Sequence, residues 1–590
     1  MYYLHFIRRN NCKTILLERI MRISDFKYYV LSFVFVIVSY IGKINAQPVI
    51  TASDAIQLAE KTVLFTDRET YVVDEDILFS AFNVTLPALR NADWSNVLYV
   101  ELITPDGEAC TRRKYAFSPD GTTGALRIPT SVLTGNYYLR AYTRWMRDYS
   151  PYNYFYKMVK VINPFRGELL EPRGYPGKGS VIESPTINSD NIQLKTTKKI
   201  YVKREMVKVQ ISVPNVNEYA GKFVVSVIAK GTDKPMLPNL SALQDQKFSP
   251  DFIPETRGLS ISGKVVNVVD SVPMPFTLVS LTIFKENPEN QNVIANEKGK
   301  FYFDLSKLKG EYELFISAKS YEKQIPLILV DNDFSSQKIE LPYVPVDLSE
   351  ASKIHYQSLA FNSQMQTLYL QQKIEDDMKS FSSDSSFYGK PDIVLHLDKY
   401  IAMPSMKDYI YELIPQLGVR HDGKRNILKV LGVYSDLAIN DPLVLVDMVP
   451  IFDIDRVLEL QPDKIDRIEV MTVPYVRGDI IFGGIISLFS KKGDLAGIDL
   501  PSVGRFITYN MLNLNYIKVA PDPKNQHVPN LQNCLYWNPN LKLKETELSE
   551  ISFNTGDNTG DFVVVVWGID KTGKTKVTST EFSVISNLNK

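Results

Sequence analysis

The stretch Asp67-Arg68-Glu69-Thr70-Tyr71-Val72, followed by Glu75, Ile77 and Phe79, decides how this chain is read. A short polar lead-in runs into a tyrosine, then a charged turn, then a segment whose apolar residues alternate. Alternation at a period of two marks a strand with one face on a core. The order returns 130 residues later as Thr197-Lys198-Lys199-Ile200-Tyr201-Val202, with Glu205, Val207 and Val209. A repeated strand-turn-strand element argues for tandem β modules. Around it, apolar runs rich in Val, Ile, Tyr and Phe recur at Ile77–Phe82, Val97–Ile103, Tyr137–Tyr142 and Met158–Ile162. The turns Pro105-Asp106-Gly107 and Pro119-Asp120-Gly121 put glycine where a positive φ is needed. These runs predict a β-sandwich over 47–165. A second, shorter one is expected over 187–235, where Phe223–Ala229 stands for Val97–Ile103, after a Pro- and Gly-rich linker at 171–177.

The chain has 590 residues, enough for three to five domains. Hydrophobic residues make up 44%, charged residues 23% and aromatics 11%, which excludes global disorder and supplies several cores. Lys plus Arg and Asp plus Glu both number 67, so no positive excess exists to drive phosphate binding, and no nucleic-acid partner is expected.

Residues 28–42, YYVLSFVFVIVSYIG, form an apolar run shorter than the ~20 residues of a membrane-spanning helix. Arg22 and Lys27 precede it and Ile44-Asn45-Ala46 follows, so 1–46 reads as a signal peptide, with Met21 as an alternative start. An uncleaved N-terminal anchor is the other reading. Without 1–46 the chain carries 60 basic and 65 acidic residues. Cys110 and Cys534 then remain, too few for a disulfide framework; whether they pair stays open, separate thiols being the simpler reading.

Several segments resemble known families. Asp67-Arg68 to Tyr71, and Gly135-Asn136-Tyr137-Tyr138-Leu139-Arg140-Ala141-Tyr142-Thr143-Arg144-Trp145-Met146-Arg147, resemble the first and last strands of macroglobulin-like domains of bacterial envelope proteins. Neither Cys110 nor Cys534 sits in a Cys-Gly-Glu-Gln loop, so the resemblance does not bring covalent protease trapping. The segment 258–332, with Gly263-Lys264-Val265, Pro273, Pro275, alternating Val279, Leu281 and Ile283, and Asn296 to Phe301, resembles the carboxypeptidase-regulatory-like, transthyretin-type sandwich, which implies a spacer without catalytic residues. A helical linker is expected over 350–380, with Phe361, Met365 and Leu368 on one face as core or partner contact, then a joint at Ser382–Ser386.

Residues 391–493 read differently. A helix over Ser405–Leu417, the strand Pro442–Asp447, a turn at Met448-Val449-Pro450, a short helix over Asp453–Leu460, the strand Lys464–Met471 and the glycines 478, 483 and 484 before Lys491-Lys492-Gly493 resemble the plug domain of TonB-dependent outer-membrane receptors. Met448 replaces the usual glycine, so that turn should differ. Such receptors enclose the plug in a 22-stranded barrel needing about 220 residues at ~10 per strand. Only 97 residues follow Gly493, so this stretch cannot supply that barrel. Leu535–Pro539, Ile551–Thr555 and the continuous apolar run Phe562–Trp567 instead predict a C-terminal β-sandwich over 530–590, its last run apolar on both faces as in a strand covered on both sides. The fold class expected is mainly β: tandem β-sandwich modules plus one small α+β plug-like domain, with no transmembrane barrel.

Motifs for chemistry are absent. His355, His396, His421 and His527 lack metal-pair spacing, and no nucleophile elbow, Walker loop or dinucleotide fingerprint occurs. Asp447, Asp466 and Glu469 read as solvated strand-face charge, and Asp331, Asp333, Asp557 and Asp561 as turn formers. No catalytic, cofactor or metal site is therefore assigned, and no enzyme activity is expected. The residues set apart as an interface are Tyr142, Arg144, Trp145, Arg147, Tyr149, Tyr152 and Tyr154, since Tyr, Trp and Arg are enriched at binding hot spots; packing inside the fold is the alternative. The expectation is an exported, non-enzymatic envelope protein, in the periplasm or at the outer membrane, whose plug-like module engages a protein partner, an outer-membrane protein among the candidates. A thioester-less macroglobulin-like protease binder cut within 236–257, or a glycan-binding sandwich, are the alternatives.

Overall fold

The computed structural model describes residues 60–84, 94–171, 180–183, 192–216, 219–232, 236–240, 249, 251–285, 288–305, 308–320, 324–369, 373–374, 386–421, 423, 425–477, 480–498, 504–512, 516–517, 527–543, 548–571 and 573–586. The expected signal peptide, most of the linker at 171–177 and all but the last residue of the joint at 382–386 lie outside these residues.

The fold is mainly β. In the first sandwich, Thr62–Thr66, Asp76–Asn83 and Thr122–Arg127 form one sheet. Ala109–Ala116, Val97–Ile103, Gly135–Tyr142 and Phe155–Ile162 form the other, which Met236–Asn239 and Ser180–Glu183 extend. The two halves of the repeat fold alike. Thr70–Val72 pairs in parallel with Phe155–Ile162, and Ile200–Val202 pairs in parallel with Thr575–Ile585. In each, a left-handed residue closes the turn, Asp74 at φ 66° and Arg204 at φ 59°. Each turn is held by a glutamate that accepts from the backbone, Glu75 from Val72 N–H (2.8 Å) and Glu205 from Val202 N–H (2.9 Å).

The partners differ in one respect that organises the molecule. The parallel partner of the first repeat lies within about 90 residues, whereas that of the second lies near the end of the chain. Met206–Ser212 pairs with Ser549–Asn554, and Tyr219–Ala229 sits between Gly560–Asp570 and Cys534–Leu541. The segments expected as two sandwiches, 187–235 and 530–590, are thus two halves of one. The early segment alone offers too few strands to cover both faces of a core, and the late strands complete it around Tyr201, Val207, Val225, Val564, Val566 and Phe582. The other face of Phe562–Trp567 is buried as well: Val563, Val565 and Trp567 pack with Phe65 and Phe82 of the first sandwich. Those two contacts explain a strand that is apolar on both sides.

Everything between is inserted. Ser260–Asn267, Lys300–Asp304 and Pro326–Val330 form one sheet of a third sandwich. The other is Glu289–Ile294, Leu278–Phe284, Glu311–Ala318 and, from far downstream, Arg505–Asn510. An α+β module lies inside that third sandwich in sequence. Its sheet runs Ile393–His396, Ile465–Met471, Ile485–Ser490, Leu443–Val446, Val449–Pro450. The chain is therefore nested, the α+β module within the third sandwich and the third within the second.

Among the described residues four α-helices carry the rest: α1 (Glu350–Tyr369), α2 (Met406–Leu413), α3 (Ser435–Ile439) and α4 (Ile454–Leu458). Ser405 caps α2, its side chain accepting from Asp408 N–H. Helix α1 buries Tyr356, Leu359 and Ala360, the last two against the first sandwich. Of the stripe Phe361, Met365 and Leu368, the first and last face outward and Met365 is half-buried, so the stripe is not core of the described fold. Asp447 and Met448, at φ 46° and 68°, make the two-residue turn between Leu443–Val446 and Val449–Pro450. Methionine tolerates a conformation that favours glycine because its side chain is buried with Tyr388, Leu443, Leu445 and Ile485. Among the described residues no sheet closes into a barrel, and no helix is long and apolar enough to cross a membrane.

Candidate functional site

The aromatic and arginine cluster is an interface, but an internal one. Tyr142, Arg144, Arg147, Tyr149 and Tyr154 are buried and Trp145 and Tyr152 half-buried, so they are not a free surface. The strands that carry them face the third sandwich, whose core is continuous with theirs: Tyr99, Tyr142 and Tyr154 pack in one cluster with Leu259, Ile261 and Phe334. Tyr142 stacks between Tyr99 and Tyr154, with centroids at 5.6 and 4.6 Å.

Charges close the same junction. Glu255 takes hydrogen bonds from Tyr99 Oη (3.0 Å), Ser260 N–H (2.9 Å) and Ser260 Oγ (2.6 Å). The Arg144 guanidinium stands 3.8 Å from it and donates to the Ser260 carbonyl and to Ser262 Oγ. Burial lifts the Glu255 carboxyl above the usual range, while Arg144 and these donors hold it down. Lys114 pairs with Asp333 at 2.6 Å, and Arg147 donates to the Asn332 and Asp333 carbonyls. Within the first sandwich, Arg140 and Glu101 form a buried pair at 2.5 Å, and Tyr142 Oη donates to the same carboxylate. Sequence patterning showed the right residue types; it could not show that their partner is another module of the same chain.

The linker 236–257 is tied down where it is described. Met236–Asn239 is a strand of the first sandwich's sheet. Asp251 and Phe252 N–H both donate to Asp148 Oδ1 at 2.9 Å, and the Phe252 ring lies under the Arg147 guanidinium at 4.0 Å. Asp148 Oδ2 is buried without a hydrogen-bond partner. Burial pushes this carboxyl up to about 6, against the backbone N–H groups of Phe252 and Asp251; Asp251 adds to the rise and Arg147 opposes it. The folded state therefore holds a proton that an unfolded aspartate, near about 3.9, has released. Stability contributed at this site is present below that unfolded value and is lost as pH rises through about 6. Urea midpoints should show the native chain losing about 1–3 kcal/mol relative to Asp148→Asn between roughly pH 4 and 7, the upper figure being the whole rise from about 3.9 to about 6 undiminished by solvent screening.

The other sequence-flagged carboxylates are occupied structurally. Asp447 accepts from Ser490 N–H and Leu495 N–H, both at 2.7 Å, and from Ser490 Oγ at 2.6 Å. Glu469 is buried rather than solvated, taking Tyr388 Oη at 2.6 Å and Arg467 Nε at 2.8 Å. Asp466 lies 3.4 Å from Arg467. Asp557 is paired with Arg204 at 2.7 Å, Asp561 accepts from Ser583 Oγ at 2.6 Å, and Asp331 accepts from Ser262 Oγ. Among the described residues no three His, Cys, Asp or Glu side chains are grouped to hold a metal. Cys110 and Cys534 are both free thiols.

The surface that sequence reasoning missed lies on the α+β module. Val433 is 99% exposed, Ile439 74% and Val476 61%, and Leu431, Tyr434, Val473 and Ile481 are exposed with them. Several contacts bring these positions together. Val476 and Ile481 are cross-strand neighbours in the hairpin Tyr475–Arg477/Ile480–Phe482. A Cβ on Gly432 would meet Leu437 of α3 at 2.6 Å and the Thr472 carbonyl at 3.4 Å. One on Gly483 would meet the Asn440 and Leu437 carbonyls. The module's own core is complete without them, built on Tyr409, Ile410, Leu428, Val446, Val457 and Ile468. The signal in the sequence was an apolar Leu431-Gly432-Val433-Tyr434 where a loop should be polar.

No family model matches the chain, and no curated protein matches it. Solved structures do. Salmonella alpha-2-macroglobulin reacted with methylamine is 10% identical, with a TM-score of 0.21, over 90% of this chain and 40% of that one. Trypsin-activated alpha-2-macroglobulin from Escherichia coli is 11% identical, with a TM-score of 0.21, over 90% and 42%. A tetra-tandem repeat from the extending region of a large adhesion protein is 8% identical, with a TM-score of 0.12, over 90% and 100%. The chain spans about 40% of the length of the macroglobulins it matches.

Proposed function

We propose that this chain is an exported, non-enzymatic envelope protein that serves as a rigid interaction scaffold, engaging a protein partner through the exposed face around α3 of the α+β module. The observation that carries the reading is that face. Seven apolar side chains stand in solvent on a module whose core is already filled, and contiguous exposed apolar surface marks interaction sites. The contacts of the α+β module with the third sandwich, whose Phe315 lies in the module's core and whose Thr282 hydroxyl donates to the Met448 carbonyl, support the scaffold half of the proposal, because a module held at such a junction presents its surface in a fixed orientation. Export rests on the apolar N-terminal run of the sequence, and the outer membrane is the site the plug-like resemblance favours.

Chemical crosslinking in isolated envelopes tests the reading. The native chain should be recovered with a second protein attached, and Val433→Asp with Ile439→Asp should reduce that yield at least about tenfold, as expected when hot-spot side chains are lost. Recovery of monomer alone from the native chain rejects the proposal. Both positions are solvent-exposed, so the double variant should melt within about 0.5 kcal/mol of the native chain.

A further inference from the structure

A cavity of about 320 Å³ opens where the three sandwiches meet, lined by the first sandwich, by Lys309 and Leu512 of the third and by Pro539 and Asn540 of the second. Phe82, Tyr115 and Leu512 make its floor, each almost fully buried. Its walls are fixed by bonds of their own. Ser80 Oγ donates to the Pro539 carbonyl at 2.8 Å, joining the first sandwich to the second, and Tyr115 Oη donates to the Ala125 carbonyl at 2.7 Å. Gly121 holds φ 104°, and a Cβ there would run into the Ala81 carbonyl, so the turn 118–121 lies flat against Asp76–Asn83 and brings Asp120 into the lining. On the third sandwich, Gly310 N–H donates to the Leu512 carbonyl at 3.0 Å and Leu512 N–H to the Leu308 carbonyl at 3.1 Å, which holds the backbone on either side of Lys309. Clefts between domains are a preferred place for small-molecule sites.

The lining carries unspent hydrogen-bonding capacity of both kinds. The Lys309 ammonium, the Asp120 carboxylate, the Thr123 hydroxyl and the Asn540 side-chain amide have no hydrogen bond or ion pair among the described residues. Ser118 Oγ donates to the Gly121 carbonyl at 2.7 Å and keeps its own lone pairs. The main chain adds to these. Thr122–Arg127 is the outer strand of its sheet, and the bond from Ile128 N–H to the Glu75 carbonyl sets its phase: Thr122 and Gly124 turn their polar groups toward Asp76–Asn83, and Thr123 turns its N–H outward. A ligand that answers this lining must donate and accept at several points and also offer an apolar face to the floor. The hydroxyls and C–H faces of a sugar ring do both. Charge narrows the choice further. The lining holds one cation and one anion, and Lys222, next to Phe82, is committed to the Asn83 carbonyl at 3.0 Å. A phosphate or nucleotide calls for a cluster of cations, and a wholly apolar ligand would strand the free polar groups. The volume lies at the small end of the roughly 300–1,000 Å³ of ligand cavities, which suits a short saccharide.

We propose that this junction cavity binds a short, uncharged saccharide, at a site separate from the face around α3. The test presents the full chain to an array of immobilised oligosaccharides and titrates the best-bound one, as the free sugar, by calorimetry, with inorganic phosphate as the comparison. Saturable binding of the sugar and none of phosphate is the expected result. Thr123→Trp fills the cavity from the first sandwich, Lys309→Met removes the ammonium on the third and Asn540→Leu the amide on the second. Each should weaken binding about tenfold. Thr123 and Asn540 are exposed and Lys309 is half-buried without a partner among the described residues, so urea midpoints of the three variants should stay near that of the native chain. Weakened binding from substitutions on three modules, with stability kept, places the ligand at their junction. No glycan bound on the array, a bound glycan indifferent to these substitutions, or binding of phosphate instead of sugar overturns the proposal. None of these outcomes touches crosslinking at the α+β module.

Discussion

Glu255→Ala should destabilise the chain by about 3–5 kcal/mol, the cost of leaving a buried arginine and its donors without their acceptor. The carboxylate is fully enclosed, and Tyr99 Oη, both donors of Ser260 and the Arg144 guanidinium converge on it. Truncation leaves a buried cation facing a small void, with the Tyr99 hydroxyl unpaired. Glu255→Gln keeps an acceptor oxygen for the same donors and removes only the charge, so it should cost less than half as much. Chemical denaturation of both variants checks this. The loss should be accompanied by separation of the first and third sandwiches, read as new proteolytic cleavage within 251–257. Equal small effects from both substitutions would mean that the junction is held by its apolar contacts alone.

Val225→Asp should have a comparable or larger effect, of about 4 kcal/mol or more, because it buries an unpaired charge in the core of the second sandwich. The informative part is where protection is lost. Val225 is paired with Val566 on one side and Asn538 on the other. Hydrogen exchange should therefore accelerate in Met206–Ser212, Gly560–Asp570 and Thr575–Ile585 together, although more than 330 residues separate Val225 from Gly560. Loss confined to the early strands would show that the two segments are independent after all.

These two expectations mark what the sequence could and could not say. Strand identity was readable because alternation and turn glycines are local properties; the repeat at Tyr71 and Tyr201 was readable for the same reason, down to the glutamate that caps each turn. Pairing of distant strands is not local. The early half of the second sandwich looks like a short module on its own, and nothing within 187–235 announces that its missing strands lie past residue 530. Burial was misjudged where it depended on another module. Arg144 and Tyr142 are hot-spot residue types that meet their partner inside the chain, and Glu469 left solvent because Tyr388 and Arg467 provide for it. The exposed Val433 was visible as an apolar residue in a loop, but only the fold shows that no described core takes it in.

The functional account comes down to whether the α+β module is a contact surface. A photo-activatable crosslinker placed at Val433 in the full chain, in cells or intact envelopes, addresses that directly, with the same group at Leu548, exposed on the second sandwich, as the comparison. The account predicts a discrete adduct containing a second protein from Val433 and none from Leu548. An unshifted band at Val433 under conditions where the crosslinker is active would contradict it.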